Sequence, residues 1–197
     1  MAARKTIISK TVSKKTAPKK SPKTVAKKTV AKLPQKSKVK AAKVTLSIGG
    51  KAPSVSLTTL DGDMSLAGLK GKNVVLYFYP KDDTPGCTKE ACGFQDNLPK
   101  FKKMNAVVIG ISKDSLASHQ KFARKYKLAF NLAADEDISI ATAFGVWIEK
   151  SMYGRKYMGM DRSTFLMDGK GTIRNIWNNV KVPGHVEEVM EAVKKLA

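Results

Sequence analysis

The sequence predicts an α/β sandwich of one domain, preceded by a disordered basic tail. Two apolar, β-rich runs, Asn73–Tyr79 and Ala106–Ser112, are each followed by a segment with a helical pattern, and this alternation is typical of α/β folds. Residues 44–197 are long enough for one well-packed core and too short for two. Residues 1–43 carry 15 Lys and Arg side chains and no Asp or Glu.

The composition of the chain excludes several classes of protein. Hydrophobic residues make up 42% of the 197 residues, a share typical of globular proteins, which excludes wholesale disorder. No apolar run approaches the ~20 residues that a membrane-spanning helix needs. Two cysteines are too few for a disulfide-dense secreted scaffold or a four-cysteine zinc site. Together with the two histidines they fit no zinc-finger spacing, so no metal and no cofactor is expected.

The net charge of +21 is concentrated in the tail. Residues 1–43 hold +15, whereas residues 44–197 combine 22 basic with 16 acidic side chains, a net charge of +6. Repulsion between lysines, helix-interrupting prolines and a shortage of large apolar groups predict that the tail is disordered in isolation. Its Lys-, Ala- and Pro-rich composition resembles the tails of linker histones and bacterial histone-like proteins.

Three interpretations of the tail remain open. It could bind DNA without sequence preference by neutralising phosphates. It could be a mitochondrial or plastid targeting peptide, although such peptides favour Arg, and this tail has only Arg4 against fourteen Lys. It could also be a solubilising segment or a nuclear import patch. The lysines that we name as candidate DNA contacts are Lys14, Lys15, Lys19, Lys20, Lys23, Lys27 and Lys28.

The location that we expect follows from these interpretations. The nucleus, or the bacterial cytoplasm and nucleoid, suits a tail that binds DNA, and a mitochondrion or plastid is the alternative. A secretory signal is not expected, because no apolar stretch of about 7–15 residues follows the first lysines.

The first half of the domain is predicted to contain one buried strand and one long helix. Asn73–Tyr79 is almost wholly apolar, the pattern of a strand buried on both faces, and it ends at Pro80. A helix is predicted from about Thr88 to Met104, with Pro99 expected to kink or divide it. The short elements expected before them are strands at Val44–Ile48 and Ser54–Thr59, a turn at Asp61-Gly62 and a connector at Ser65–Leu69.

The second half continues the alternation of strands and helices and closes with a hairpin. Ala106–Ser112 predicts a second buried strand, and Ser115–Tyr126 a helix with Leu116, Phe122 and Ala123 facing inward. The remaining elements are a strand near Phe130–Ala133, a helix near Ile138–Phe144, a hairpin of Ser163–Met167 and Thr172–Trp177 around the turn 168–171, and a last helix at His185–Leu196. This order is that of a thioredoxin-like α/β sandwich. In such a fold, catalytic residues tend to lie where a buried strand ends and a helix begins.

That junction contains Cys87, at the start of the predicted helix. Unpaired backbone N–H groups and the positive end of the helix dipole favour a thiolate there. Thr84 can offer a hydroxyl to the sulfur or to an oxygen bound beside it, and Pro80 can shield the sulfur from bulk water. A thiolate in a small, shielded pocket suits attack on a peroxide O–O bond, with a sulfenic acid as the first product.

Cys92 lies five residues further along the same predicted helix. This spacing gives about 7.5 Å of rise and about 140° between the side chains, so that the two Cα atoms should be about 8–9 Å apart. A disulfide needs less than about 7 Å. Two interpretations remain open: Cys92 resolves the sulfenic acid after the first helical turns unwind, or it is a core thiol.

Several motifs together resemble one enzyme family. The pattern Pro80-x-x-x-Thr84-x-x-Cys87 is similar to the active-site signature of the peroxiredoxins. The longer run YFYPKDDTPGCTKEAC, which ends at Cys92, resembles the bacterioferritin comigratory protein / peroxiredoxin Q branch. The resemblance covers about residues 44–197. Further matches are Phe144-Gly-Val-Trp147, Glu149-Lys150, Gly154, Tyr157, Gly159, Arg162 and Phe165-Leu166.

This resemblance implies a role for each residue of the motif. Cys87 would be the peroxidatic cysteine, held with the peroxide by Thr84 and Arg162 and shielded by Pro80. Cys92 would be the resolving cysteine, forming an intramolecular Cys87–Cys92 disulfide that thioredoxin or a relative reduces. The chain would act as a monomer. Without the resemblance, Arg162 would be assigned to a surface salt bridge, with Glu90 as a candidate partner.

The sequence therefore predicts a thioredoxin-dependent thiol peroxidase that reduces hydrogen peroxide and organic hydroperoxides, without metal or other cofactor. It would act in antioxidant defence, tethered to DNA if the tail binds it. The alternative is a nucleic-acid-binding architectural or redox-sensing protein that carries a peroxiredoxin-like domain. The complete set of Pro80, Thr84, Cys87 and Arg162 favours the enzyme.

Overall fold

A computed structural model of the chain describes residues 46–196. The predicted tail and the first two residues of the strand expected at Val44–Ile48 lie outside the described residues. Within the described part, no helix has both the length and the apolar character that crossing a membrane requires.

Strands and helices alternate along the first two thirds of residues 46–196. The strands are β1 (Ser56–Thr59), β2 (Gly62–Ser65), β3 (Asn73–Phe78), β4 (Ala106–Ser112), β5 (Asn131–Ala134), β6 (Trp147–Met152), β7 (Arg155–Met160), β8 (Ser163–Met167) and β9 (Ile173–Trp177). The helices are α1 (Pro85–Lys103), α2 (Leu116–Tyr126), α3 (Ser139–Ala143) and α4 (His185–Lys194), with a 3₁₀ helix at Leu66–Leu69.

Seven of these strands form one mixed sheet in the order β2-β1-β5-β4-β3-β8-β9. The three central strands β3, β4 and β5 are parallel, and each outer strand runs antiparallel to its neighbours. Strands β6 and β7 form a separate antiparallel hairpin. Because β3 and β4 lie in the middle of the sheet, their side chains are buried on both faces, as their apolar sequences predict.

Helices cover both faces of the sheet. On one face, Val75 and Tyr77 of β3 belong to a core cluster with residues of α1, α2 and α4. On the other face, Leu76 and Phe78 belong to a second cluster with residues of α3 and β8. This is the thioredoxin-like sandwich that the order of elements predicts.

The parallel strands define two edges of the sheet. At the carboxyl edge, where β3, β4 and β5 end, the chain leaves β3 through Tyr79 and Pro80 and begins α1 at Pro85. At the opposite amino edge, these strands begin with Asn73, Ala106 and Asn131. The register of β3 on β4 brings their ends together, and it therefore places the start of α1 at the carboxyl edge.

Several predicted elements are confirmed, and others were wrong. The strands at β3 and β4, the β8–β9 hairpin and all four helices are confirmed. Residues 46–48 form no strand, because the chain bends where Gly50 N–H donates to the Ser47 carbonyl. The segment expected to be a connector holds the end of β2 and the 3₁₀ helix. Strands β2, β6 and β7 were not predicted, since their exposed, polar sequences lack apolar alternation.

The long helix also differs from its prediction. It begins at Pro85 rather than at Thr88, because the first residue of a helix has no intrahelical partner for its N–H and proline is well suited to that position. Pro99 lies inside α1 without dividing it. At the other end of the domain, α4 ends at Lys194, and Leu196 beyond it is only partly buried.

One close contact fixes the packing of β3 against β4. A Cβ atom on Gly110 would lie 2.6 Å from both Cζ and Oη of Tyr77. The Tyr77 ring is stacked between Tyr79 and Phe94, with centroid distances of 5.4 and 4.8 Å, so it has no room to move aside. Only glycine fits at position 110.

We therefore predict that Gly110→Ala lowers the free energy of unfolding by about 2–3 kcal/mol, the cost of overpacking a closed core. Urea unfolding would measure it. Gly68→Ala is the matched control, since its Cβ would meet Ser65 Oγ at an ordinary 3.5 Å. Equal losses of stability in the two variants would contradict this account of Gly110.

Candidate active site

Cys87 is the third residue of α1. Thr84 precedes the helix with an extended backbone (φ −92°, ψ 151°), and Pro85 and Gly86 are its first two residues. No acidic side chain lies in the first turn, so the N–H groups and the dipole act on the sulfur without a competing negative charge there. The residue is 1% exposed and belongs to the core cluster of the α1 face.

Arg162 contacts Cys87 from the segment between β7 and β8. Its Nη2 donates a hydrogen bond to Cys87 Sγ at 3.1 Å. A Cβ on Gly86 would lie 3.4 Å from the same Nη2, so the absence of a side chain at Gly86 helps the guanidinium to approach. The structure therefore brings together two residues that are 75 positions apart in the chain.

The guanidinium of Arg162 also forms an ion pair with Glu90. Nη1 of Arg162 donates to Glu90 Oε2. The sequence offered a surface salt bridge as the alternative to an active-site role for Arg162. The pair with Glu90 exists, but it is not on the surface: the Glu90 side chain is 0% and the Arg162 side chain 16% exposed. The same arginine makes both contacts.

The burial of Glu90 changes its acidity. Burial raises the pKa of Glu90 to about 7, although the charge and hydrogen bond of Arg162 act in the opposite direction. Its second oxygen, Oε1, and Tyr77 Oη are buried and have no hydrogen-bond partner among the described residues. Burial, and next the charge of Glu90, raise the pKa of Tyr77 well above 10, so the phenol stays protonated.

Thr84 and Pro80 lie in the loop that leads into α1. The Thr84 hydroxyl donates to the Lys81 carbonyl at 3.1 Å, and the structure shows no hydrogen bond from it to the sulfur. Pro80 follows the buried Tyr79 and is itself exposed. The roles expected for these two residues, holding a peroxide and shielding the sulfur, therefore stay predictions.

A buried polar network fixes this loop, and the sequence analysis missed it. Asp82 Oδ1 accepts from Tyr79 Oη at 2.7 Å, and Oδ2 accepts from Ser118 Oγ at 2.7 Å and is 2.9 Å from His119 Nδ1. Asp82 N–H donates to Asp114 Oδ2 at 2.8 Å. Burial raises the pKa of Asp82, but the hydrogen bonds, that of His119 first, outweigh it and leave the pKa below its ordinary value.

The next residue ties the same loop to the other end of α2. Asp83, with a left-handed φ of 56°, accepts from Lys125 Nζ at 2.7 Å and from Tyr126 Oη at 2.6 Å. These hydrogen bonds lower the pKa of Asp83. Two consecutive aspartates thus hold the loop against α2, and their position between a buried strand and a cysteine was the only sequence signal of this role.

Cys92 lies on the intact part of α1. It is half-buried, and both cysteines are free thiols. Burial, and next the charge of Asp96, raise the pKa of Cys92, so its thiol form is favoured in the folded helix. Because α1 is continuous from Pro85 to Lys103, the helical separation of the two cysteines applies, and a disulfide between them would require local unwinding.

The two histidines have structural partners. His185 Nε2 is 2.8 Å from Thr164 Oγ1, and burial, together with the charge of Arg162, lowers its pKa to about 4. The imidazole is therefore neutral at neutral pH. Within residues 46–196, no three His, Cys, Asp or Glu side chains are grouped as a metal site would require.

The comparisons with known proteins identify the family. The model of the AhpC/TSA family matches residues 48–176. "Putative peroxiredoxin bcp" of Coxiella burnetii is 52% identical over 148 residues, which cover 75% of this chain and 98% of that protein. "Peroxiredoxin Bcp" of Bacillus subtilis is 46% identical over 155 residues, covering 78% and 99%.

Comparison with solved structures points to the same family. PrxQ of Xylella fastidiosa superposes with a TM-score of 0.73 at 38% identity, over 77% of this chain and 98% of that chain. The bacterioferritin comigratory protein of Xanthomonas campestris, described for its alkyl peroxide reduction activity, gives a TM-score of 0.69 at 42% identity, over 72% and 90%. With a cysteine at the start of α1 held by a partly buried arginine, and with these relatives, the chain belongs to the AhpC/TSA family of peroxiredoxins, in its Bcp/PrxQ branch.

Proposed function

We propose that the chain is a thioredoxin-dependent thiol peroxidase in which Cys87 reduces hydrogen peroxide and organic hydroperoxides. The observation that carries this proposal is the contact of 3.1 Å between Arg162 Nη2 and Cys87 Sγ at the start of α1. A guanidinium that never loses its charge stabilises the thiolate and can donate to a peroxide oxygen at the same place. The alkyl peroxide reduction activity of the Xanthomonas campestris relative supports organic hydroperoxides as substrates.

The first chemical step oxidises Cys87. The thiolate attacks one peroxide oxygen, so that an S–O bond forms while the O–O bond breaks. The electron pair of that bond moves to the second oxygen, which takes a proton and leaves as water or an alcohol. Cys87 becomes a sulfenic acid. Thr84 and Pro80 complete the pocket in this proposal, as the family resemblance implies.

The second step uses Cys92 to resolve the sulfenic acid. The Cys92 sulfur attacks the Cys87 sulfur, an S–S bond forms, the S–O bond breaks, and water leaves. The first turns of α1 unwind to allow this. A thioredoxin-type dithiol then reduces the disulfide by exchange. Since both cysteines belong to one chain, a monomer suffices.

The tail adds a second element to the proposal. Its +15 charge without a single acid favours binding to DNA, which would keep the peroxidase close to it. The relatives described above are bacterial proteins, which favours the bacterial cytoplasm or nucleoid among the locations that the sequence left open. None of those relatives supports the nucleus, a mitochondrion or a plastid.

We predict that Cys87→Ser abolishes peroxide consumption, because the nucleophile is lost. Cys92→Ser should still reduce one equivalent of peroxide at an unchanged rate, but should fail to turn over with thioredoxin and NADPH-coupled thioredoxin reductase. Stopped-flow peroxide decay and the coupled assay separate the two steps. Normal turnover of Cys92→Ser with thioredoxin alone would contradict intramolecular resolution. Peroxide consumption by Cys87→Ser would contradict the whole proposal.

The burial of Glu90 gives a pH-dependent prediction for stability. The pKa of Glu90 is about 7 in the folded protein and 4.5 in an unperturbed carboxyl. Between these values the unfolded chain loses a proton that the folded protein keeps, so the contribution of Glu90 to stability should fall with rising pH by up to about 1.4 kcal/mol per pH unit. Below pH 4.5 and above pH 7 this contribution is constant.

Glu90→Gln removes the titrating group. The difference in free energy of unfolding between wild type and this variant should therefore change between pH 4.5 and 7, in favour of the variant as pH rises, and then level off. Urea unfolding at a series of pH values measures it. Glu149→Gln, at an exposed position of β6, controls for the loss of one charge. Parallel wild-type and Glu90→Gln curves would refute the effect.

The tail is tested by replacing its seven candidate lysines (14, 15, 19, 20, 23, 27 and 28) with Gln in the full-length chain. If they neutralise phosphates, the slope of log Kobs for duplex DNA against log salt should shrink by up to about 6. Fluorescence anisotropy across a salt series measures the slope, and Cys87→Ser serves as the control that leaves the tail intact. An unchanged slope would discard tethering by the tail.

A further inference from the structure

The amino edge of the sheet gathers four segments that are distant in sequence. Gly71 N–H donates to the Gly169 carbonyl, and Asn105 Nδ2 donates to the Gly71 carbonyl, both at 2.8 Å. Lys51 Nζ donates to the Lys170 carbonyl at 2.9 Å. The loops at 69–72, 102–105 and 168–171 and the segment 49–51 are therefore neighbours at this edge.

These segments carry a cluster of exposed lysines. The six are Lys51, Lys70, Lys72, Lys102, Lys103 and Lys170. Among the described residues, none of them forms an ion pair with a carboxylate. The nearby Asp168 is occupied, since it accepts from the N–H groups of Lys170 and Thr172 and pairs with Arg174. Asp61 lines a cavity together with Lys102.

Six of the sixteen acids of the domain lie at the other edge. Those that lie at the carboxyl edge are Asp82, Asp83, Glu90, Asp114, Asp135 and Asp161. The six exposed lysines have no carboxylate partner among the described residues, and they give the amino edge a local excess of positive charge. A positive surface of this kind attracts a polyanion at long range.

The amino edge is far from the reactive cysteine. Lys103 ends α1 at the amino edge and lies sixteen residues after Cys87, which corresponds to about 24 Å along the helix. A large ligand bound at the amino edge would therefore leave Cys87 open to peroxide.

We propose that the amino edge binds the phosphate backbone of nucleic acid through these six lysines. This inference deepens the proposed tethering to DNA and rests on it for the identity of the partner. Residues 49–51 belong to the edge, and Lys51 is the edge lysine nearest in sequence to the basic tail. None of the four segments contains an aromatic residue, which a membrane-surface site normally supplies.

The test compares two full-length variants of equal charge. The amino-edge variant carries Lys70→Gln, Lys72→Gln, Lys102→Gln and Lys103→Gln. The control carries Lys121→Gln, Arg155→Gln, Lys156→Gln and Lys181→Gln, four exposed bases away from this edge. Binding to a duplex of about 30 base pairs is measured across a salt series.

We expect the amino-edge variant to lose about 2–4 units from the slope of log Kobs against log salt, and the control to lose less than about 1. Equal slopes in the two variants would overturn the proposal. Loss of binding to phosphatidylserine vesicles, with binding to DNA unchanged, would also overturn it, in favour of a membrane surface.

Peroxidase assays separate this proposal from the proposed function. Unchanged peroxide consumption by the amino-edge variant shows that it is folded, and wild type saturated with duplex should keep its rate within about twofold. Cys87→Ser should bind the duplex as wild type does. The binding result can therefore be interpreted even if the protein shows no peroxidase activity. Strong inhibition by bound duplex would contradict binding at the edge remote from Cys87.

Discussion

The proposed chemistry depends on one partly buried positive charge, which a thiol and a carboxyl group share. The guanidinium of Arg162 donates to Cys87 through one nitrogen and to Glu90 through the other. A buried charge without a partner would be very costly, so Glu90 is needed to keep the arginine inside. A fully ionised Glu90 would, however, cancel much of the charge that the thiolate requires. With a pKa of about 7, Glu90 is only partly ionised at neutral pH, and positive charge remains available to the sulfur.

The loop before Cys87 and the body of α1 after it are firmly held, whereas the first turn of α1 lacks a side-chain cap. Upstream, Asp82 and Asp83 fix the loop to α2. Downstream, Phe94, Leu98 and Phe101 anchor α1 in the core. The first turn itself has weak support, because the Thr84 side chain makes no capping hydrogen bond and Gly86 lowers helix propensity. Unwinding this turn for a disulfide with Cys92 therefore breaks no side-chain cap, and its main cost is the burial of Cys87 and its contact with Arg162.

Whether the sequence could predict a feature depends on how far apart in the chain the interacting residues lie. The apolar runs at β3 and β4 and the helix after them are local patterns, and they placed Cys87 at the correct junction. The position of Arg162 came from family resemblance alone, because no local pattern reports a contact across 75 residues. Periodicity also cannot show that its pair with Glu90 is buried. The Asp82–His119 contact was missed for the same reason, and the hairpin of β6 and β7 because its exposed residues carry no amphipathic signal.

The division of charge between the two edges bears on how the cycle could run on a bound protein. In the proposed cycle, two reactants reach the carboxyl edge: a small peroxide and, after oxidation, a protein reductant. The peroxide needs only a narrow approach, whereas a thioredoxin-type protein needs open surface around the unwound turn of α1. A contact with DNA at the carboxyl edge would block the second reactant even if it admitted the first. In the proposed arrangement, the lysines of the amino edge lie about 24 Å from Cys87 along α1, which avoids this conflict. The edge that binds DNA is then not the edge at which the reaction takes place.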